Sequence, residues 1–149
     1  MDTFHLADAA ASDAFGARLA ALVRPGDIVT LAGPLGAGKT SIARGLLAAL
    51  GLAGEAPSPS FAIVQPYEPP EVRLPVSHVD LYRLDDPGEV AELGLDDDRA
   101  GSLLLVEWPE RAGEGAWPEA LALSLSPLAE GGRSLTVRVP PAWERRWPT

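Results

Sequence analysis

The octet Gly33-Pro34-Leu35-Gly36-Ala37-Gly38-Lys39-Thr40 constrains this chain more than any other stretch, because it fills the G-x-x-x-x-G-K-[ST] pattern of a phosphate-binding loop. In such a loop successive backbone amides between Gly33 and Lys39 point inward at phosphate oxygens, helped by the positive end of the following helix. Glycines are needed there because side chains would occupy the phosphate's place. The pattern also requires a strand before it and a helix after it. Both are legible: Ile28 to Ala32 reads as a short buried strand, and the stretch from about Lys39 to Leu50 as a helix that Gly51 can cap. The plainer alternative is a glycine turn that opens a helix.

Lys39 is the single lysine of the chain, against eleven arginines. An ammonium is a compact point charge on a flexible stem, and it fits beside crowded β- and γ-phosphates where a planar fork would not. The alternative is an arginine-biased composition in which one lysine survived by chance. On the phosphate reading, Lys39 reaches the β- and γ-phosphates and the Thr40 hydroxyl ligates Mg²⁺.

Magnesium takes hard oxygen ligands and usually only one or two protein carboxylates. In open α/β sheets the binding crevice lies beyond the carboxyl ends of the strands, so a carboxylate closing an apolar strand is well placed. Two fit. Glu107 follows Leu103-Leu104-Leu105-Val106, and Asp80 follows Val76-Ser77-His78-Val79. Glu107 is the candidate magnesium-site carboxylate. Asp80 either joins it or orients the attacking water, and simple solvation of a strand end is the alternative for both. Ser58-Pro59-Ser60-Phe61 lies where many nucleotide hydrolases place a hydroxyl that feels the γ-phosphate, or else it is a short Ser-Pro turn. His78 and His5 have no second ligand at metal spacing, which favours packing or surface placement. Trp108 reads equally as a core residue or an exposed contact.

The 149 residues are expected to form one domain, 1–149, with 46% hydrophobic residues for a core. No apolar run of about 18 residues and no signal-peptide layout is present, and there is no cysteine, all of which fits the cytoplasm and no membrane. Twelve basic against twenty-one acidic residues give a net charge of -9, the wrong sign for holding nucleic acid by a surface field. Arg145-Arg146 reads as a solvated tail, so any RNA would be held by a partner.

Elsewhere, Ser12 is a candidate N-cap for a helix to about Val23, with Phe15, Leu19 and Leu22 on one stripe. Residues 61–67, 76–81 and 103–106 read as strands, and Pro87 to about Leu93 as a short helix. Leu121, Leu123 and Leu125 alternate with small polar residues, as do Leu135, Val137 and Val139 after Gly131-Gly132, which is a hairpin pattern. The fold class is therefore α/β: a three-layer P-loop NTPase-like fold, its parallel core sheet extended at one side by antiparallel strands, with helices on both faces. The tail from about 141 has Pro and aromatic residues without a period, a composition open to a mobile end.

The octet, Ser58-Pro59-Ser60-Phe61, His78-Val79-Asp80-Leu81-Tyr82-Arg83-Leu84, Glu92-Leu93-Gly94 and Leu105-Val106-Glu107-Trp108-Pro109 occur in this order, and with them the chain resembles the TsaE (YjeE) family of small bacterial ATPases from Gly33 to Arg133. The resemblance implies a cytoplasmic, Mg²⁺-dependent ATPase needed for threonylcarbamoyladenosine modification of tRNA. Its partners would be TsaD and TsaB, which carry out the transfer to adenosine, and ATP hydrolysis would reset that pair between turnovers. Carried over by position, it makes Thr40 and Glu107 magnesium ligands, Asp80 a residue needed for hydrolysis beside Lys39, and Ser60 the switch-loop hydroxyl, where the family more often has threonine. Nucleotide contacts would come from Gly33 to Ser41, Ser41 included, and from Arg133 of the late Gly132-Arg133. Trp108 and Tyr82-Arg83 would lie near the partner face.

A GTPase is disfavoured because the guanine-reading N-K-x-D element needs a second lysine. A small-molecule kinase uses the same cradle but generally needs an arginine-bearing lid, and the arginines here are scattered. A module that binds ATP without turning it over is the third reading. No arginine finger is evident within the chain, so weak intrinsic turnover is expected.

Overall fold

In the computed structural model, which describes residues 2–34, 37–53, 64–84, 86, 88–90, 101–113 and 115–147, seven strands form one mixed sheet. In chain order the elements are β1 (Asp2–Leu6), α1 (Ala9–Ala20), β2 (Ile28–Ala32), α2 (Lys39–Ala49), β3 (Val64–Tyr67), β4 (Val76–Asp80), β5 (Leu103–Glu107), β6 (Leu121–Pro127) and β7 (Arg133–Arg138). The sheet order is β1-β7-β6-β2-β5-β4-β3. Strands β6, β2, β5 and β4 are mutually parallel, as the expected core requires. Antiparallel strands close both edges instead of one, β7 and β1 on one side and β3 on the other. Every residue of β5 is buried, which matches its unbroken apolar run between β2 and β4. Pro66 is tolerated in β3 because that strand is at an edge. No helix among the described residues is long and apolar enough to cross a membrane.

Alternation divides the core. Val29, Leu31, Leu103, Leu105, Leu121 and Leu123 pack with Phe15 and Leu19 of α1 and with Ile42, Leu46 and Leu47 of α2. The intervening residues Ile28, Leu104 and Val106 face the other way, with Val79 and Leu81, under Trp108, Ala112 and Trp117. Both α-helices therefore cover one face. On the other, residues 88–90 and Pro109–Ala112 form 3₁₀ turns, and residues 91–93 of the expected short helix lie outside the described residues.

Helix α1 begins earlier than its sequence suggests. Asp8 is the N-cap, its carboxylate accepting from the Ala11 amide at 2.8 Å, while Ser12 sits one turn inside and fully buried. The two helices cross with backbone against backbone: a Cβ on Gly16 would overlap the Ile42 carbonyl oxygen, and one on Gly45 the Asp13 carbonyl oxygen. In an open helix, Gly→Ala stabilises by about 1 kcal/mol. Here overlap dominates, and Gly45→Ala is expected to lower stability by about 1–3 kcal/mol, read as a lower denaturation midpoint at unchanged slope; a gain would show that the helices have room to part.

The tail is packed through residue 147. Trp143 is 1% and Trp147 8% exposed, and Trp147 Nε1 donates to Asp2 Oδ2 at 2.6 Å. Arg146, expected to be solvated, donates to both Asp27 carboxylate oxygens at 2.6 and 2.8 Å and lies over the Trp143 ring. Aromatic burial orders this segment where periodicity gave no cue.

Candidate active site

The site gathers at the carboxyl ends of β2, β4 and β5. Glycine φ values of +143° at Gly33 and +104° at Gly38 turn the chain out of β2 and into α2, a backbone path that L side chains rarely follow. A Cβ at Gly33 would also meet the Leu125 carbonyl oxygen at 2.6 Å. Between the two, the Ala37 amide closes a turn onto the Pro34 carbonyl at 3.1 Å, and Ala37 is fully buried. Leu35 and Gly36 lie outside the described residues, as does Ser60.

Lys39, the first residue of α2, is 5% exposed. Its ammonium donates to the carbonyl oxygens of Gly33 and, at 3.0 Å, of Pro34, and it lies 4.0 Å from the centroid of the Trp108 ring. Burial pulls its pKa below the ordinary lysine value, against the opposing pull of the carboxylates of Glu107, Glu110 and Asp80. Next in the helix, the half-buried Thr40 donates its hydroxyl to Glu107 Oε1 at 3.4 Å. Ser41 follows on α2, half-buried.

The carboxylates arrive by strand register. Asp80 and Glu107 are direct partners across the β4–β5 ladder, and Glu107 is opposite Leu31 of β2, so it faces α2 and Thr40. Glu107 is 3% exposed and its Oε2 accepts from His78 Nε2 at 2.7 Å. Since a carboxylate only accepts, the proton belongs on Nε2. His78 Nδ1 is buried without a hydrogen-bond partner among the described residues. Asp80 Oδ1 accepts from the Tyr82 amide at 2.9 Å. Burial raises the Asp80 pKa, the Tyr82 amide opposes it, Glu107 adds to the rise, and His78 and Lys39 oppose it.

Trp108 settles between its two sequence readings. Partly buried against the core, it also packs against Tyr82, the rings tilted at 48° with centroids 4.8 Å apart, and covers the Lys39 ammonium. Its φ of 60° and ψ of 50° are left-handed, a conformation that costs a non-glycine residue roughly 1–2 kcal/mol. That turn lets its ring fold back to Lys39 while its amide continues the parallel ladder to the Leu31 carbonyl at 3.1 Å. Tyr82 is 39% exposed, with the Arg111 guanidinium 5.4 Å from its ring.

Arg133 reaches the same loop from β7. Its Nη1 donates to Ser12 Oγ at 2.9 Å, and a Cβ on Gly38 would meet Nη1 at 2.5 Å. The structure thus brings together Lys39 and Thr40 of α2, Asp80 of β4, Glu107 of β5 and Arg133 of β7, from four separate elements. Sequence reasoning missed His78 as the partner of Glu107 and Ser12 as the partner of Arg133. Strand alternation could have exposed the first, since His78 and Asp80 share a face of β4. For magnesium the residues present fit: the Thr40 hydroxyl and a Glu107 carboxylate oxygen face each other, both hard oxygens.

The chain is similar to known proteins in sequence and in fold. A family model described as threonylcarbamoyl adenosine biosynthesis protein TsaE matches residues 6–135. Among curated relatives, the tRNA threonylcarbamoyladenosine biosynthesis protein TsaE of Streptomyces coelicolor is 41% identical over 111 residues, covering 74% of this chain and 75% of that protein. The protein of the same name from Synechocystis is 43% identical over 120 residues, 72% of this chain and 70% of that one. The crystal structure of Bacillus subtilis YdiB superposes with a TM-score of 0.76 at 30% identity, over 91% of this chain and 83% of that one.

Proposed function

Because this chain belongs to the TsaE family of threonylcarbamoyl adenosine biosynthesis proteins, we propose that it is the cytoplasmic ATP-hydrolysing component of tRNA threonylcarbamoyladenosine modification, acting on the TsaD–TsaB pair to reset it between turnovers. The observation that carries the reading is the Thr40–Glu107 contact at 3.4 Å, which joins the start of α2 to the end of β5 beside a buried lysine. That pairing of a helix-end hydroxyl with a strand-end carboxylate is what a nucleotide-bound magnesium ion requires. Bound there, Mg²⁺ would neutralise charge on the phosphate oxygens.

The chain's own residues do the rest. Loop amides and Lys39 hold the phosphates and offset charge that develops as an in-line water attacks the γ-phosphoryl group. Asp80, in register with Glu107 and with a pKa raised by burial, orients that water. His78 holds one Glu107 oxygen and leaves the other toward Thr40. Arg133 at Gly38 adds positive charge to the loop from the α1 side. The exposed Tyr82, in tilted ring contact with Trp108, forms the face offered to the partner pair, so occupancy of the loop can be felt there through Lys39 and Trp108. The tRNA is met only through the partners, in keeping with a net charge of -9.

The test combines capture and turnover. The chain should be retained by TsaD–TsaB with ATP more strongly than with ADP or without nucleotide, and its slow ATP turnover should rise when the pair is added. Turnover that ignores the pair but responds to a small hydroxyl compound would replace this reading with a kinase.

A further inference from the structure

Ser12 and Arg133 are 121 positions apart, yet they meet against the last glycine of the phosphate loop. The approach is built from the helix crossing. Gly16 and Gly45 bring α1 and α2 into backbone contact, and Ser12, one turn before Gly16 on the same face, is thereby set beside the start of α2. There its hydroxyl is fully buried and lies 3.3 Å from where a Cβ on Gly38 would sit. The hydroxyl's hydrogen-bonding capacity is divided in a definite sense: it donates weakly back to the Asp8 carbonyl at 3.5 Å and accepts from Arg133 Nη1 at 2.9 Å. Among the described residues no carboxylate pairs with the Arg133 guanidinium. A cation held at a phosphate loop by a neutral acceptor, with no carboxylate partner among the described residues, keeps its attraction for an incoming anion.

We propose that Ser12 is a positioning residue for Arg133, whose buried hydroxyl holds the guanidinium against Gly38 so that the cation is in place before the triphosphate arrives. A carboxylate at position 12 would hold the arginine more tightly but cancel its charge, whereas an alanine would let it swing to solvent and make the nucleotide pay the ordering entropy. The inference deepens the nucleotide-binding reading and rests on it.

A double-mutant cycle on Mg·ATP affinity, measured by calorimetry and accompanied by kcat and KM, tests it. Ser12→Ala is expected to weaken binding about tenfold, the scale of a hydrogen bond to a charged group, and Arg133→Ala by at least as much. The double variant should bind no worse than Arg133→Ala alone, because Ser12 acts only through the arginine. Unchanged affinity in Ser12→Ala, or the same loss from Ser12→Ala with and without Arg133, would overturn the proposal. A second measurement needs no change at position 12. In nucleotide-free wild-type protein, the Arg133 guanidinium resonances, assigned by their loss in Arg133→Lys, should show restricted rotation about Nε–Cζ. Free rotation would mean that Ser12 holds nothing. If wild-type protein bound no Mg·ATP, the function reading would fall while the resonance measurement still decided the Ser12–Arg133 contact.

Discussion

Lys39→Arg is expected to abolish most ATP hydrolysis although it preserves the charge and installs the residue that this chain uses at every other basic lysine-or-arginine position. The reason is shape. The Lys39 ammonium is 5% exposed, fixed between the Gly33 and Pro34 carbonyl oxygens on one side and the Trp108 ring, 4.0 Å away, on the other. A planar guanidinium is broader than an ammonium, carries its donors in a fixed fork, and cannot be desolvated into the same point. We expect kcat/KM for Mg·ATP to fall about a hundredfold or more, which is roughly 2.7 kcal/mol of transition-state stabilisation. Lys39→Ala should fall at least as far. Single-turnover hydrolysis in the presence of TsaD and TsaB is the measurement, with melting temperatures to confirm that both variants fold. Activity near wild type in Lys39→Arg would mean that the solitary lysine is compositional drift.

The second large effect is at Glu107. Its two oxygens have separate tasks: Oε2 accepts from His78 Nε2 at 2.7 Å, and Oε1 accepts from Thr40 at 3.4 Å. Glu107→Gln keeps the shape, but an amide has one acceptor oxygen, so its NH₂ must face either the His78 N–H or the Thr40 hydroxyl. Facing His78 it sets donor against donor in a buried place, at a cost of about 1–3 kcal/mol. Facing Thr40 it turns a donor toward the place where magnesium needs an oxygen, and in either orientation the anionic charge is gone. Either way hydrolysis should drop on the order of 10²–10³-fold, the scale of losing one preorganised electrostatic contact. Glu107→Ala and Asp80→Ala serve as companions: unchanged single-turnover rates for both would overturn the assignment of the site. Glu107→Gln separates the two tasks, since a lower melting point accompanies the first orientation and not the second.

Local signals carried the sequence reading where the structure is local. Strand β2, the glycine loop and α2 are contiguous, and the hydrophobic run of β5 and the alternation in β6 and β7 depend on nothing distant, so each was legible. Thr40, Asp80 and Glu107 could be grouped because a parallel sheet puts strand ends together, and the Asp80–Glu107 register does so. What escaped notice lacks a local mark. Strand β1 has only Phe4 and Leu6 to show, and its pairing is with residues 133–137. Ser12 has the composition of an N-cap and serves instead, from inside α1, as an acceptor for an arginine far along the chain. His78 has no second metal ligand at sequence spacing, and its partner is the carboxylate that faces Thr40. The tail offered no period because it is held by two tryptophans and one bidentate arginine, contacts that no window of neighbouring residues contains.

The register of β1 has a consequence for how the molecule comes into being on the ribosome. Its ladder runs Asp2↔Val137 to Leu6↔Arg133, and among the described residues β1 has no other neighbour in the sheet. Strand β1 therefore waits unpaired until residues 133–138 have been synthesised, while β2 and α2 can already pack on one another. Such long-range closure is slow, and it leaves an apolar edge exposed meanwhile. Because Arg133 opens β7, the same late event that seats the first strand also delivers the guanidinium to Gly38. A nascent chain can form its glycine loop early, but it acquires the charge of Arg133 beside that loop only when β1 and β7 meet.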